Sequence, residues 1–429
     1  MVREMNLFSV LEHLHQGGPI SRAKLARLTG LNKSTISSLV EELINYGLVF
    51  ESGIQNSGTG RPSTYLELNP DAGCIIGVEI GVGFFSIILT NFIGEIIWRR
   101  FEKTNFISEQ NEIIARIFKV IDEAGDAAGE YGYRLLGMGI TLPGMVDDEL
   151  GVLVFSPNLQ WHDVPLRNIF SEYTGLPVFV DNDANAAALG EHLFGMARQA
   201  QHFLFIIDGV GVGGGLFLNG NIYRGANGLA GEIGHTSMYV EQARPCRCGN
   251  RGCWENFANE SSLYERIRTR LEVGRCSAIT SILENRNSPL TLPIITQAAE
   301  TGDSETLEAL NETGSALGMG VANLVNLFNP EMVIIGGALS VVSKFLLPSI
   351  KKVVEERSLE TIRRHTVILE STFGPDASVM GAVAMVVQAI FSSPSSVGVV
   401  RKFPGSDHKG QMRLVKQASG FNNPDRKRR

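Results

Sequence analysis

The chain has 429 residues, of which 44% are apolar, and it carries 38 Lys and Arg against 45 Asp and Glu. This length predicts about three domains with cores of their own, and the apolar share excludes a largely disordered chain. The odd number of cysteines, five, and the absence of an apolar signal segment at the N-terminus argue against a secreted protein framed by disulfides. We therefore expect reduced thiols and a cytoplasmic protein.

The longest apolar region, residues 74–97, does not predict a membrane span. It contains Glu79 and Glu95 and is interrupted by four glycines. Charged side chains are costly in the hydrocarbon core of a bilayer, so spanning segments rarely contain them. We expect strands of a soluble domain here, and no membrane insertion.

Residues 21–44 have the pattern of a helix-turn-helix. Ser21 and Gly30 have the side chains that begin and end a first helix. Asn32 begins a second helix, whose apolar residues fall on one stripe formed by Ile36, Leu39, Val40 and Leu43. Two helices joined by a tight turn are typical of DNA-binding domains that place the second helix in the major groove.

A wing is predicted directly after these helices. The apolar runs 48–51 and 65–68 bracket a polar loop, 58–63, in which Arg61 is placed to reach a phosphate or a minor groove. Residues 1–70 hold six basic and six acidic side chains, so a three-helix packing module with solvated faces is the alternative. The predicted DNA contacts are Arg22, Lys33, Ser34, Thr35, Ser37, Ser38 and Arg61.

Two stretches of the body share one layout, a meander of three strands followed by parallel-type strands that alternate with helices. The meanders cover residues 75–101 and 203–224. Strands at 135–142 and 178–181 follow the first, and strands at 332–335 and 366–370 follow the second. The layout is that of the α/β ribonuclease H-like fold of actin and hexokinase, in which two lobes face each other across a cleft.

These patterns predict four segments. Residues 1–70 form a winged helix-turn-helix, and residues 71–190 form a first lobe completed by 381–393. Residues 191–380 form a second lobe with the metal site and a dimer surface. The tail, 394–429, carries nine Lys and Arg against two Asp and predicts disorder. A solvated tail and a phosphate-binding tail both remain open for it.

Three motifs in the body suggest its chemistry. They are the glycine-rich run 208–215 with a later Glu-x-Gly-His at 232–235, the run Cys-x-Cys-Gly-x-x-Gly-Cys-x-Glu at 246–255, and Asn-Asp-Ala-Asn at 182–185. Together they resemble the ROK family, named for repressors, open reading frames and sugar kinases, over roughly residues 1–391. With its winged helix the chain is similar to the sugar-responsive repressors of that family, which include xylose and N-acetylglucosamine regulators.

The cysteine-rich run predicts a structural zinc site. Cys246, Cys248 and Cys253 supply three soft ligands within eight positions, and His235 supplies a fourth. This set suits tetrahedral zinc without an open catalytic position. Buried cysteines without a metal are the alternative.

The resemblance also implies a sugar site. It assigns hydroxyl-binding or lining roles to Gly144, Asn158, Asn182, Asp183, Glu232, His235 and Glu255. In the family the zinc histidine also touches the sugar, which requires one ring nitrogen on the metal and an N–H on the other. Each residue taken alone could be an ordinary turn or capping residue.

Nucleotide binding is predicted to be lost. Where kinases of the family have Asp-x-Gly-Gly-Thr-Lys, this chain has Glu79-Ile80-Gly81-Val82-Gly83-Phe84, and the second loop has Val210 in place of threonine. Asp183, the catalytic base of the kinases, is kept as a vestigial base, but it has no positioned phosphate to act with.

The sequence thus predicts a zinc-stabilised, sugar-responsive repressor of carbohydrate-utilisation genes, a homodimer or tetramer on operator DNA. An ATP-dependent sugar kinase, or a protein with both activities, is the competing class. A regulator sequestered by a transporter domain is a third class, because such regulators occur among the relatives.

Overall fold

The computed structural model describes residues 2–55, 63–104, 109–238, 244–273, 275, 278–286 and 290–399. Its internal contacts divide the chain into two units. Unit 1 consists of residues 1–182 and 379–429, and unit 2 of residues 183–378. The first boundary lies eight residues before the predicted end of the first lobe at 190, because the helix that starts at Asp183 packs on the sheet of unit 2.

Unit 1 begins with the predicted winged helix-turn-helix. Ser21 accepts a hydrogen bond from the backbone N–H of Lys24, Asn32 accepts one from that of Thr35, and Gly30 ends its helix with φ of 71°. The strands pair in the order β1-β3-β2. The elements are α1 (Val2–Gly17), β1 (Ile20–Ser21), α2 (Arg22–Thr29), α3 (Lys33–Asn45), β2 (Val49–Gln55) and β3 (Ser63–Leu68).

The rest of unit 1 is built on a five-stranded sheet of order β11-β7-β4-β5-β6. Strands β4 to β6 form the antiparallel meander, and β7 and β11 add parallel strands. A smaller antiparallel sheet has the order β10-β9-β8. The elements are β4 (Cys74–Gly81), β5 (Phe84–Asn91), β6 (Ile96–Lys103), α4 (Gln110–Glu130), β7 (Leu135–Leu142), β8 (Met145–Asp147), β9 (Val152–Ser156), β10 (Trp161–Val164), α5 (Leu166–Thr174) and β11 (Val178–Asn182).

Unit 2 repeats this layout. Its sheet has the order β14-β13-β12-β15-β16, with the first three strands antiparallel and the last two parallel. The duplicated α/β fold is thereby confirmed. The elements are α6 (Asp183–Leu193), β12 (His202–Asp208), β13 (Val212–Leu218), β14 (Asn221–Ile222), α7 (Glu255–Ala258), α8 (Glu260–Glu272), α9 (Ala278–Arg286), α10 (Leu292–Glu300), α11 (Ser304–Phe328), β15 (Met332–Gly337), α12 (Ser343–Arg357), α13 (Glu360–Arg363) and β16 (Val367–Glu370).

The last helix, α14 (Ala377–Ser392), closes the sheet of unit 1. Glycines let it approach the strands: a methyl group on Gly139 would overlap the backbone of Ala382. The stretch 374–392 is the one described segment long and apolar enough to cross a membrane, and 72% of its most apolar window is buried inside the protein.

The predicted disordered tail needs one correction. Its first six residues, Pro394–Val399, form a 3-10 turn that contacts α1, and Pro394 is buried. The packing of this short turn on the DNA-binding segment outweighs its polar composition. Residues 400–429 lie outside the described residues.

Candidate functional site

The four predicted metal ligands meet at one point in unit 2. One ring nitrogen of His235 and the Sγ atoms of Cys246, Cys248 and Cys253 all lie within 4.8 Å of one another. Cys248 and Cys253 place their sulfurs 3.8 Å apart, and Cys246 Sγ lies 3.7 Å from His235 Nδ1. With zinc–sulfur bonds of about 2.3 Å, a tetrahedron requires sulfurs about 3.8 Å apart. The cluster therefore fits a metal ion of this size.

Thiol chemistry points the same way. Burial, with the neighbouring Glu255 adding to it, raises the pKa of the Cys246 thiol, and burial also raises that of Cys253. A thiol in such a place stays protonated at neutral pH unless a cation holds the thiolate. Cys246 and Cys253 are therefore suited to binding a metal and poorly suited to remaining thiolates without one.

The segment 246–254, which carries the three cysteines, packs against helix α11 through Trp254. Trp254, which follows the last cysteine ligand, is fully buried and donates from its indole N–H to the carbonyl of Ala316 on α11 at 2.8 Å. Its ring lies against Gly320, where a methyl group would overlap it. Backbone hydrogen bonds close a tight turn between Cys246 and Asn250. The ligands are thus fixed by the core of unit 2.

Two of the predicted sugar residues, Glu232 and Glu255, flank the predicted metal ligand His235. Nδ1 of His235 faces the thiols and lies 3.5 Å from a carboxylate oxygen of Glu255, and Nε2 lies 3.7 Å from Glu232. The two ring nitrogens therefore face different groups. A metal on Nδ1 leaves Nε2 as an N–H on the side of Glu232.

In unit 1 the structure brings two more of the predicted residues together. The side-chain amide of Asn182 donates to the carbonyl of Gly144 at 3.0 Å. Gly144 has φ of 135°, and a Cβ there would lie 2.6 Å from the carbonyl of Phe155. Asn158 is half-buried in the turn that follows β9, the strand that contains Phe155. Asp183 begins α6 in unit 2 and accepts from the backbone N–H of Ala184.

Helix α3, the predicted recognition helix, presents the polar face that the sequence predicts for contact with DNA. Lys33, Ser34 and Ser38 are exposed, whereas Thr35 and Ser37 are half-buried. The apolar stripe of the same helix is completely buried: Ile36, Leu39, Val40 and Leu43. The helix therefore has one face in the domain core and one free face of lysine and hydroxyl groups.

The two arginines predicted to contact DNA, Arg22 and Arg61, do not belong to this exposed face of α3. Arg22 forms an ion pair with Glu51 at 2.8 Å, so it is held against the wing strand β2. Arg61 lies outside the described residues. Two cations that the predicted contact set left out, Lys24 and Arg27, are exposed on α2 and form no ion pair with a described residue. Exposed cations on the first helix of such a motif are placed to bind phosphates.

An aromatic ring covers the first phosphate-type loop, the segment 79–84 where kinases of the family have their phosphate-binding motif. Phe84 pairs with Gly81 across the β4–β5 hairpin, and its ring lies where a side chain on Gly81 would be. The ring also stacks on Phe101 with centroids 5.3 Å apart. The sequence pattern showed that a lysine is replaced by Phe84. Only the structure shows that the ring covers the glycine.

The second loop contains an unusual carboxyl group. Asp208, at the end of β12, is completely buried, and both carboxyl oxygens lack a hydrogen-bond partner among the described residues. The loop carbonyls of Gly209 and Val210 already accept hydrogen bonds from the backbone of Glu260 and the side chain of Asn259. The sequence placed Asp208 at the start of the glycine-rich run but gave no sign that its carboxyl group is buried without a partner among the described residues.

The motifs and the fold agree with comparisons to known proteins. Residues 75–389 match the ROK family, and residues 5–51 match the IclR helix-turn-helix domain. The chain belongs to the ROK family. Within it, this ROK chain is 38% identical over 92% of its length to the putative xylose repressor of Caldicellulosiruptor sp. (strain Rt8B.4), and it covers 99% of that protein.

Solved structures include both regulators and kinases of the ROK family. A ROK family transcriptional regulator, described as a homolog of the E. coli MLC protein, matches with a TM-score of 0.79 and 29% identity, covering 92% of this chain and 99% of that one. A ROK glucokinase from Streptomyces griseus, in complex with glucose and AMPPNP, matches with a TM-score of 0.64 and 30% identity, covering 73% and 99%. The regulator match extends over the DNA-binding segment, which makes this chain a DNA-binding transcriptional regulator of the ROK family.

Proposed function

We propose that this chain is a cytoplasmic, sugar-responsive repressor that binds operator DNA through α3 and responds to a small unphosphorylated sugar. The main observation is that one chain combines a winged helix-turn-helix with clustered sugar-type residues around His235. D-xylose is the first candidate sugar, because the relative that matches over 99% of its length is a putative xylose repressor.

Zinc has a structural role in this proposal. It would be held by His235, Cys246, Cys248 and Cys253, with no ligand position open for catalysis. Zinc on Nδ1 would leave the Nε2 proton of His235 directed toward a sugar hydroxyl, beside Glu232. The metal would thus set the direction of one hydrogen bond to the effector.

An unphosphorylated effector is favoured by the retained carboxylate of Asp183. In kinases of the family this residue faces the hydroxyl that receives phosphate. A phosphate already present there would bring like charges within a few ångströms in a poorly hydrated site. Loss of kinase activity is part of the same proposal, since Phe84 covers the first phosphate-type loop.

DNA binding is proposed for the exposed face of α3, with Lys24 and Arg27 on phosphates and Arg61 on the wing. A homodimer or tetramer would supply two half-sites, which a domain with no net charge needs for tight binding. A sugar lowers operator affinity only by as much as it binds the DNA-free state better than the DNA-bound state.

Operator titrations test this proposal. A duplex selected from a random pool by the wild-type protein is titrated by fluorescence anisotropy, with and without D-xylose, D-glucose, N-acetylglucosamine and their phosphate esters. We expect one neutral sugar to weaken binding at least tenfold, and Glu232→Ala to bind the duplex normally without responding. A response to phosphate esters alone would refute the Asp183 argument, and no response to any sugar would refute the effector proposal.

A further inference from the structure

The backbone carbonyl groups at the end of the recognition helix α3 accept hydrogen bonds from residues in the rest of unit 1. Helix α3 closes with Gly47 at φ of 76° and a hydrogen bond from Leu48 N–H back to Leu43. Such an ending leaves the carbonyls after the helix without helical partners. Those of Gly47 and Leu48 accept from the side chain and the backbone of Asn69 at 2.8 and 2.9 Å. That of Tyr46 accepts from Arg134 at 3.2 Å.

Arg134 also holds the segment that joins the two parts of unit 1. Its Nε donates to the carbonyl of Ala72 at 2.9 Å, and its own carbonyl accepts from the backbone N–H of Cys74 at 2.8 Å. The neighbouring Tyr133 donates its hydroxyl to Asp71 at 2.7 Å. The joining residues, 69–73, are therefore bonded on both sides, and one guanidinium spans the joining segment and the end of α3.

The strand that starts beside Arg134 ends beside candidate sugar residues. β7 consists of the eight residues Leu135–Leu142, all of which are buried. Gly144 follows two residues later, and its carbonyl accepts a hydrogen bond from the side-chain amide of Asn182. At about 3.3 Å per residue the strand is roughly 26 Å long. One strand, held on both sides by neighbours in its sheet, thus separates the Gly144 turn from the anchor of the recognition helix.

We propose that Arg134 is a positioning residue: it fixes the recognition helix to the amino end of β7, so that a sugar bound at the Gly144 turn changes how α3 meets DNA. The coupling rests on the proposed sugar response. The guanidinium suits this role because its planar, fixed donors reach Ala72 and Tyr46 at the same time. Its positive charge also lies at the carboxyl end of α3, where the helix dipole favours it.

Substitutions at Arg134 in the full-length protein test this assignment. Arg134→Gln removes the charge and the forked donors, whereas Arg134→Lys keeps the charge but replaces the planar fork with a single ammonium on a flexible chain. Arg116→Gln is the matched control, because Arg116 donates to Glu102 and to the carbonyl of Lys103 within the same unit and does not touch the joining segment. The probes are the selected duplex, D-xylose and hydrogen exchange.

We expect the amides of Gly47 and Leu48 to exchange at least fivefold faster in Arg134→Gln, with unit 2 unchanged. Duplex affinity without sugar should fall about fivefold. The xylose effect on that affinity should fall to less than a third of the wild-type factor, while DNA-free protein binds xylose within twofold of wild type. Arg134→Lys should lie between, and Arg116→Gln should match wild type.

Wild-type exchange at Gly47 and Leu48 in Arg134→Gln, or a full xylose effect in that variant, would overturn the proposal. If Arg134→Gln loses the near-ultraviolet circular dichroism of wild type, Arg134→Lys decides by the same criteria. A wild-type protein that binds the duplex and ignores every sugar refutes the sugar response instead. Exchange and duplex affinity then decide whether Arg134 positions α3.

Discussion

Asp208 is a buried carboxyl group without a hydrogen-bond partner among the described residues. Burial, with Glu260 adding to it, raises its pKa well above the ordinary value. A carboxyl whose folded pKa is raised stabilises the fold most below its unfolded pKa, and this stability is lost as the pH rises toward the folded pKa. Asp208 thus costs the protein stability at neutral pH.

Asp208→Asn should therefore stabilise the protein at pH 7, by up to a few kcal/mol, because the amide is neutral and has nearly the same shape. The gain should shrink as the pH is lowered from 8 to 5. Chemical denaturation at several pH values measures it. Asp126→Asn, at an exposed carboxylate of α4, is the control and should change little. A gain independent of pH would contradict this explanation.

The metal ligands make a second prediction for single residues. Protein purified without added metal should contain about one zinc per chain. Cys248→Ser should lose the zinc and lower the unfolding temperature. It should also weaken the sugar response, because Glu255 begins α7 two residues after the ligand Cys253. Cys74→Ala removes a buried thiol of β4 and should lose stability while keeping its zinc. Elemental analysis and thermal unfolding give both readouts. Well-folded wild-type protein without zinc would refute the site.

Helix α14 and strand β7 make close backbone contact, and this contact depends on glycine. Gly139→Ala should destabilise the protein by about 1–3 kcal/mol or more, since the added methyl overlaps the backbone of Ala382. Gly129→Ala, in the helix α4, has open space around it and should stabilise by up to about 1 kcal/mol. Urea unfolding compares the two. A Gly139→Ala variant as stable as wild type would refute the overlap with Ala382.

Local patterns predicted most of the strands and the two helices of the helix-turn-helix. Capping residues and apolar stripes placed α2 and α3 within a residue or two, because their stabilising contacts lie within a few positions in the chain. The five-stranded sheets followed from the repeated meander. The turn Pro394–Val399 was missed, since it depends on contact with α1, nearly 400 residues away.

The molecule as a whole should have no sugar kinase activity. Both phosphate-type loops differ from the pattern of the family's kinases, with Phe84 in place of lysine and Val210 in place of threonine, and the ring of Phe84 covers Gly81. A coupled assay for ADP with ATP, Mg²⁺ and D-xylose or D-glucose should show no turnover above background. Turnover of about 1 s⁻¹ or more would place the protein with ordinary enzymes. Asp183→Asn is the control, because turnover that survives it comes from a contaminant.

By itself the sequence determined the family, the duplicated α/β fold, the helix-turn-helix and the candidate metal ligands. These features depend on spacing along the chain: three cysteines within eight positions, or apolar residues three and four apart. Only the tertiary structure showed that His235 turns Nδ1 to the thiols, that Phe84 covers Gly81 and that Asp208 has no described partner. It alone joined Arg134 to Tyr46, 88 positions away. Such contacts follow from how distant segments pack, and no local pattern of residue types encodes the direction of a side chain within that packing.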